Sequence, residues 1–249
     1  MTGISADPYW WQAAPPQDFH IDHWPERADV VIIGGGYTGF GAAIPLARAG
    51  LDVVILERDQ IGSGASTRNG GITSGNLRLS FDDLTKRFGA EKATAFYQEA
   101  KAARTDLAQF ITSEKIDCDL QQCGRLVGAL RSGSLDSMKR DAERLTKLLD
   151  IDATVYDQTS LPDYIDTSRY CGGMMRDDIG GIHPAKLLAG MCQIARATSV
   201  KIVTQTKMIA VSQQCTSLPT PEFRVETSRG IIHAGHVISA TNAYTDDSQ

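Results

Sequence analysis

The chain has 249 residues and a net charge of -5, from 25 basic and 30 acidic side chains, so it lacks the electropositive footprint of a nucleic-acid binder. Hydrophobic residues make up 42% and charged residues 22%, an ordinary globular mix that excludes disordered and collagen-like chains. No stretch approaches the roughly eighteen apolar residues that a spanning helix needs, and 11 of the 23 glycines crowd between Gly34 and Gly75.

Residues 1–28 read as an arm. They carry no continuous apolar core like that of a secretory signal, and they hold acidic residues that a transit peptide avoids. Tyr9, Trp10, Trp11, Phe19 and Trp24 predict an arm pinned onto the folded body by ring burial. Ala28 to Ile33 then predict a strand buried on both faces. Gly34-x-Gly36-x-x-Gly39 follows, and Phe40 to Ala49 predict a helix closed by Gly50. Pro45 lies inside that helix, where it removes the bond to the Gly41 carbonyl and predicts a kink. Asp52 to Leu56 predict a second buried strand, ending at Glu57 and completing a βαβ unit.

From Phe81 the period changes. Phe96, Ala100, Ala103, Leu107, Phe110 and Ile111 predict the core stripe of one amphipathic helix, and Leu135, Met138, Ala142, Leu145 and Leu149 that of a second. Arg125 to Leu130 predict a strand between them. A helix over Ala185 to Ala197 precedes strands over Lys201 to Val211, Phe223 to Thr227, Ile231 to His233 and Val237 to Ala240. Cys118, Cys123, Cys171, Cys192 and Cys215 are odd in number and form no CxxC pair, which predicts reduced thiols in a cytoplasmic protein. The pairs His20/His23 and His233/His236 have no carboxylate or cysteine partners at ligand spacing, so no metal site is expected.

The glycine spacing carries chemistry. Gly34 permits the tight turn out of the strand, Gly36 admits the backbone close to a pyrophosphate, and Gly39 lets helix pack on strand. Phosphates sit at such a helix N-terminus because free N–H groups and the positive end of the dipole attract anions. Glu57 lies 23 residues after Gly34, placed to accept hydrogen bonds from a ribose diol and to repel a 2′-phosphate. A second glycine-rich loop, Gly62 to Gly71, lets backbone run flat beside a bulky planar group. Within it Ser66, Arg68 and Asn69 offer donors.

Gly34 to Gly39, Glu57, Gly62-Ser63-Gly64-Ala65-Ser66 and Asn69-Gly70-Gly71 resemble the FAD-dependent oxidoreductases of the D-amino-acid oxidase group. Within that group they are most similar to amine oxidases of the gamma-glutamylputrescine oxidase type, including the aromatic arm at Tyr9-Trp10-Trp11. Gly180 to Pro184, Lys201 to Ile209 and Val237 to Tyr244 resemble the group's later segments. The resemblance implies an α/β, Rossmann-like FAD-binding domain of the glutathione-reductase type over 29–80 and 180–249. It implies an inserted α+β substrate domain over 81–179, left incomplete. It places the cofactor on Gly34, Gly36, Tyr37, Thr38, Gly39, Glu57, Arg58, Gly64, Ala65, Ser66, Asn69, Gly70, Gly71, Met208, Ala240 and Thr241, with Arg68 and Asn69 nearest flavin and substrate. Some relatives attach FAD through a histidine in the second loop; the matching position here is Arg68, so FAD is expected to be held non-covalently.

The chemistry implied is hydride transfer from an amine or amino-acid C–H to flavin, imine hydrolysis, and reoxidation by oxygen or another acceptor. Members of the group run further than Gln249, so the resemblance also implies a complementing C-terminal segment. Two other readings stand beside this one: a truncated dinucleotide-binding fragment without turnover, and an NAD-dependent dehydrogenase, which leaves Gly62 to Gly71 without a purpose.

Overall fold

The structure, a computed structural model, describes residues 6–17, 19, 21, 23–214 and 222–245, so His20 and Cys215 lie outside the described residues. The regular elements run β1 (Arg27–Ile33), α1 (Tyr37–Arg48), β2 (Val53–Leu56), β3 (Ile72–Ser74), α2 (Phe81–Phe88), α3 (Ala90–Ser113), β4 (Arg125–Ala129) and α4 (Ser132–Leu149). They continue with β5 (Ala153–Asp157), β6 (Gly172–Arg176), β7 (Ile179–Gly181), α5 (Pro184–Ala197), β8 (Lys201–Val203), β9 (Met208–Gln214), β10 (Glu222–Thr227) and β11 (Ile231–Ser239). They cluster into two compact units: Met1–Gly70 with Ile116–Cys118 and His183–Gln249, and Gly71–Lys115 with Asp119–Ile182.

The first unit is built on a six-stranded sheet in the order β8-β2-β1-β11-β10-β9. β8, β2, β1 and β11 pair in parallel, and β10 and β9 close the sheet as an antiparallel meander. The apolar runs of β1 and β2 are continuous because both sheet faces are covered. Val31, Ile33, Val54 and Leu56 pack with Val203, Val225 and Ile232 on one face. Val30, Ile32, Val53 and Ile55 alternate to the other, and Phe40 and Ile44 of α1 are buried as well. The helix begins at Tyr37, earlier than expected, because the extended Gly36 serves as its N-cap. It runs on through Pro45. Gly41 and Pro45 both lie on its exposed side, so the Gly41 carbonyl that loses its N–H partner faces water.

Two strand expectations need correction. Lys201 to Val211 is divided into β8 and β9, and Thr204 to Lys207 form the bend between them. The segments flanking Gly235 are one strand, β11, whose parallel register with β1 runs from Arg27↔His233 to Ile33↔Ser239. The arm is pinned as expected through Trp24, whose indole N–H donates to the Ile231 carbonyl at 3.0 Å, whereas Tyr9 is exposed.

The second unit holds a three-stranded antiparallel sheet, β4-β6-β5, and the antiparallel pair β3 and β7. Ala142, Leu145 and Leu149 of α4 are buried as predicted. Leu145 and Leu149 pack with Leu84, Ala93, Tyr97 and Ile151. On α3 Ile111 is buried as predicted and Ala100, Leu107 and Phe110 are half-buried, but at the N-terminal end Ala93 and Tyr97 take the core face, while Phe96 is 43% exposed and meets Phe88 edge-on, ring centroids 5.6 Å apart. One position is about 100° of helix, enough to turn Phe96 off the core face.

Arg176, at the end of β6, is buried and forms a two-pronged pair with Asp178, Nε to Oδ1 at 2.9 Å and Nη2 to Oδ2 at 2.7 Å. Its third donor reaches the Asn76 side chain. Arg176→Ala strands the Asp178 carboxylate and is expected to destabilise the chain by about 3 kcal/mol, whereas Arg176→Ala with Asp178→Ala recovers much of that loss. Urea unfolding midpoints test this, and a midpoint unchanged in the single variant would contradict it. The described cysteines are free thiols, with Cys118 and Cys192 buried and Cys123 exposed. Burial pushes the Cys192 thiol up to about 12, so the nucleophilic thiolate is scarce at neutral and mildly alkaline pH. Iodoacetamide is therefore expected to label Cys123 in the folded chain and Cys118 and Cys192 only after unfolding, as read by peptide mapping.

Candidate functional site

The C-terminal ends of β1, β2 and β11 open onto a cleft of about 300 Å³ in the first unit. That volume is at the low end for small-molecule sites. Its floor is backbone. Gly34 has φ +111°, and a Cβ there would lie 2.6 Å from the Ala240 carbonyl oxygen. A Cβ on Gly39 would lie 2.0 Å from the Gly34 carbonyl oxygen, and one on Gly36 2.9 Å from the Ser66 hydroxyl. The three motif glycines are thus required by contacts within the fold. Gly35, between them, is also constrained: its Cβ would meet Ile61 Cδ1 at 2.4 Å.

The N-terminus of α1 forms one wall. No side chain caps it and no acidic residue lies in its first turn. α2, by contrast, is capped by Ser80 and carries Asp82 and Asp83 in that position. Gly36, Tyr37 and Thr38 line the cleft, so the positive dipole end and the first-turn N–H groups other than that of Tyr37 border open space. This is the donor set an anionic pyrophosphate requires. The Tyr37 amide donates to Ser66 Oγ at 3.1 Å, tying the helix start to the second glycine loop.

Glu57 stands at the end of β2 with both carboxylate oxygens engaged. Oε2 accepts from the Gly35 amide at 2.8 Å and Oε1 from the Asp59 amide at 3.0 Å. Each oxygen keeps a further lone pair, so Glu57 braces both loops and still presents acceptors to the cleft. The Tyr37 hydroxyl donates to the Pro184 carbonyl at 2.9 Å. Burial, with the nearby Cys118 thiol, pushes it far above the usual phenol range against the smaller opposing effect of a hydrogen bond with Asn69. The phenol therefore stays protonated at any ordinary pH.

Of the residues expected at the cofactor, Gly34, Gly36, Tyr37, Thr38, Glu57, Arg58, Gly64, Ala65, Ser66, Asn69, Met208, Ala240 and Thr241 are brought together on this cleft. Gly39 is under the helix instead, and Gly70 and Gly71 do not line the cleft. Arg68 is also off it: its guanidinium donates through Nε to the Ser63 carbonyl at 2.8 Å and through Nη1 to the Ala6 carbonyl at 2.9 Å. Two of its donors thus hold loop and arm. Asp59, Thr206, Lys207, Asn242 and Tyr244 line the cleft without having been expected there. Asp59 follows β2 with no signal of its own; Thr206 and Lys207, and Asn242 and Tyr244, lie in the two later segments that resemble the group's cofactor-side strands, Lys201 to Ile209 and Val237 to Tyr244, although none is singled out there. Among the described residues no cluster of His, Cys, Asp and Glu is suited to a metal, and no helix is long and apolar enough to cross a membrane.

Gly39 and Gly41 provide a matched test, because nothing lies within 4 Å of a Cβ at Gly41. Gly39→Ala is expected to force α1 off β1 and lower stability by about 2 kcal/mol. Gly41→Ala is expected to be neutral or to stabilise by up to about 1 kcal/mol. Equal thermal midpoints for the two variants would refute the close-packing role of Gly39.

Comparison with known proteins follows the same lines. The chain is 31% identical over 219 residues to gamma-glutamylputrescine oxidoreductase of Escherichia coli (strain K12), covering 88% of this chain and 50% of that protein. Among solved structures, glycine oxidase from Geobacillus kaustophilus aligns with a TM-score of 0.73 at 20% identity, covering 88% of this chain and 56% of that one. L-proline dehydrogenase from P. horikoshii aligns with a TM-score of 0.69 at 23% identity, covering 89% and 54%. At those identities the structures report a shared fold. The chain spans about half the length of the curated relatives it matches. Residues 29–249 match the FAD dependent oxidoreductase family, DAO, and the chain belongs to it.

Proposed function

We propose that the chain provides the cofactor-binding part of an FAD-dependent oxidoreductase that oxidises the C–N bond of a small amine or amino acid. The observation that carries this is the uncapped N-terminus of α1 opening onto a backbone-floored cleft beside Glu57. In this reading Gly34, Gly36, Tyr37 and Thr38 surround the pyrophosphate, and Glu57 and Arg58 face the ribose. Met208 lies against the adenine, and Gly64, Ala65, Ser66 and Asn69 lie toward the flavin end. Ala240 and Thr241 complete the floor.

FAD supplies the two-electron acceptor for hydride from the substrate carbon. The residues of this chain bind and orient it; none is assigned as catalytic base. Residues 29–80 and 180–249 are taken as the cofactor domain, 1–28 as the arm, and 81–179 as part of a substrate domain. Oxygen or another acceptor, a complementing C-terminal segment and a cytoplasmic setting belong to the same proposal. So does non-covalent attachment, since position 68 is an arginine already committed to the Ser63 and Ala6 carbonyls.

The purified chain is expected to take up FAD and turn yellow, and acid precipitation should leave all the flavin in the supernatant. Addition of amines and amino acids without oxygen, singly, then identifies the substrate by bleaching the flavin band. A colourless chain that takes up no FAD would overturn the cofactor assignment, and flavin retained on the precipitate would overturn non-covalent binding.

A further inference from the structure

We propose that the N-terminal arm is a working part of the cofactor site: Trp10 and the Ala6 carbonyl clamp the second glycine loop in the form that lines the cleft. The inference rests on the FAD reading above for the identity of the ligand, but its geometry stands apart from it.

The two loops of the cleft are held in different ways. Gly34 to Gly39 are locked by backbone meeting backbone, with no room for a Cβ at either end. The second loop has no such backbone wedge. Within it the Asn69 side-chain amide donates to the Ala65 and Ser66 carbonyls at 3.1 and 2.9 Å, the Arg68 backbone amide to the Ala65 carbonyl at 3.2 Å, and the buried Thr67 hydroxyl to the Gly62 carbonyl. Ser66 Oγ ties its middle to the start of α1 by accepting from the Tyr37 amide at 3.1 Å, and the arm holds the end at Arg68 and Asn69.

The arm adds long-range ties. A 3-10 turn at Tyr9–Gln12 brings the Trp10 indole N–H onto the Asn69 carbonyl at 2.8 Å. The same indole meets the His183 ring edge-on, centroids 4.8 Å apart. His183 is itself fixed as the N-cap of α5, its Nδ1 accepting from the Lys186 amide at 3.2 Å and its own amide donating to the Cys118 carbonyl at 2.7 Å. Trp10 therefore joins the second glycine loop to the capped start of α5. Arg68 makes the second tie, spanning from the Ser63 carbonyl within the loop to the Ala6 carbonyl of the arm. Trp11 approaches from the same side, its Nε1 lying 3.4 Å from where a Cβ on Gly62 would be.

Trp10 does not itself line the cleft; it touches Asn69, which does, and is a positioning residue. Its effect on ligand affinity comes through the fraction of molecules in which the loop stands in its cleft-lining form, since apparent affinity falls in proportion to that fraction. A loop left in that form in one molecule of ten weakens binding about tenfold.

The test uses the full chain with Trp10→Ala and Trp10→Phe. Trp10→Phe keeps a ring against His183 and removes only the N–H donor, and it carries both readouts if Trp10→Ala does not fold. Hydrogen exchange of amides 63–69, measured without added flavin, is expected to rise in both variants while exchange in β1 and β2 stays slow. The FAD dissociation constant is expected to rise about tenfold in Trp10→Ala and less in Trp10→Phe. Unchanged loop exchange, or raised exchange with unchanged FAD affinity, would overturn the proposal. A parent chain that takes up no FAD overturns the functional reading instead, and loop exchange alone then decides whether the arm holds the loop.

Discussion

The structure of the first unit depends on a place where three backbone segments meet with no side chain between them. The turn after β1 passes under the start of α1 and against the end of β11. Gly39 sits on the Gly34 carbonyl, and Gly34, at positive φ, sits on the Ala240 carbonyl. The amide of Ala240 in turn donates to the Ile33 carbonyl at 2.8 Å, so the β1 and β11 ladder continues to the lip of the cleft. An open floor of peptide groups results. Because the helix enters at this point with no side-chain cap from Gly36, its positive dipole end borders the open space. In the proposed reading, close packing contributes to anion binding as much as the dipole does.

Glu57 serves the fold first. A carboxylate with few partners would be costly to hold at the end of a buried strand, and the Gly35 and Asp59 amides offset that cost. The bonds also hold the side chain in place, so under the proposed function its remaining acceptors would lose little freedom on engaging a diol. The backbone carbonyl of Glu57 accepts from the Thr206 amide at 2.9 Å, which brings the bend before β9, with Lys207 and Met208, to the cleft. One acidic residue thus links three segments far apart in sequence.

The core strands β1 and β2 were legible because burial on both faces leaves an uninterrupted apolar run, and the glycine spacing was legible because each position answers to a separate steric need. Failures have equally physical causes. Gly235 suggests a break in β11, yet glycine is tolerated there where the Asp29 carbonyl oxygen lies 3.2 Å from its Cβ position. β5, with Ala153, Thr154 and Val155 but little burial, carries only a weak alternation at a sheet edge. On α3 the largest ring, Phe96, suggests the core face, but Tyr97 takes it and Phe96 pairs with Phe88 outside. Asn242 and Tyr244 reach the cleft because β11 ends beside Gly34, a fact of topology that only the resemblance of Val237 to Tyr244 to a known segment made legible.

Arg68 illustrates the deepest limit of reading chemistry from a loop. A guanidinium among glycines has five donors to place, and the loop composition alone does not distinguish a ligand from a carbonyl as their target. The structure places two of them on the Ser63 and Ala6 carbonyls, which makes the residue a strut. The consequence reaches the arm, whose aromatics were expected only to cover apolar surface. Trp24 fits that expectation, packing over Gly230 beside the β10–β11 turn. Trp10 differs, because its one polar atom is spent on the Asn69 carbonyl. A loop rich in glycine loses more backbone entropy on ordering than any other kind, and local turn bonds return only part of it. An indole fixed between that loop and the capped start of α5 supplies the remaining restraint from outside, before any ligand arrives, which is how a flexible composition is made into one rigid wall of the cleft.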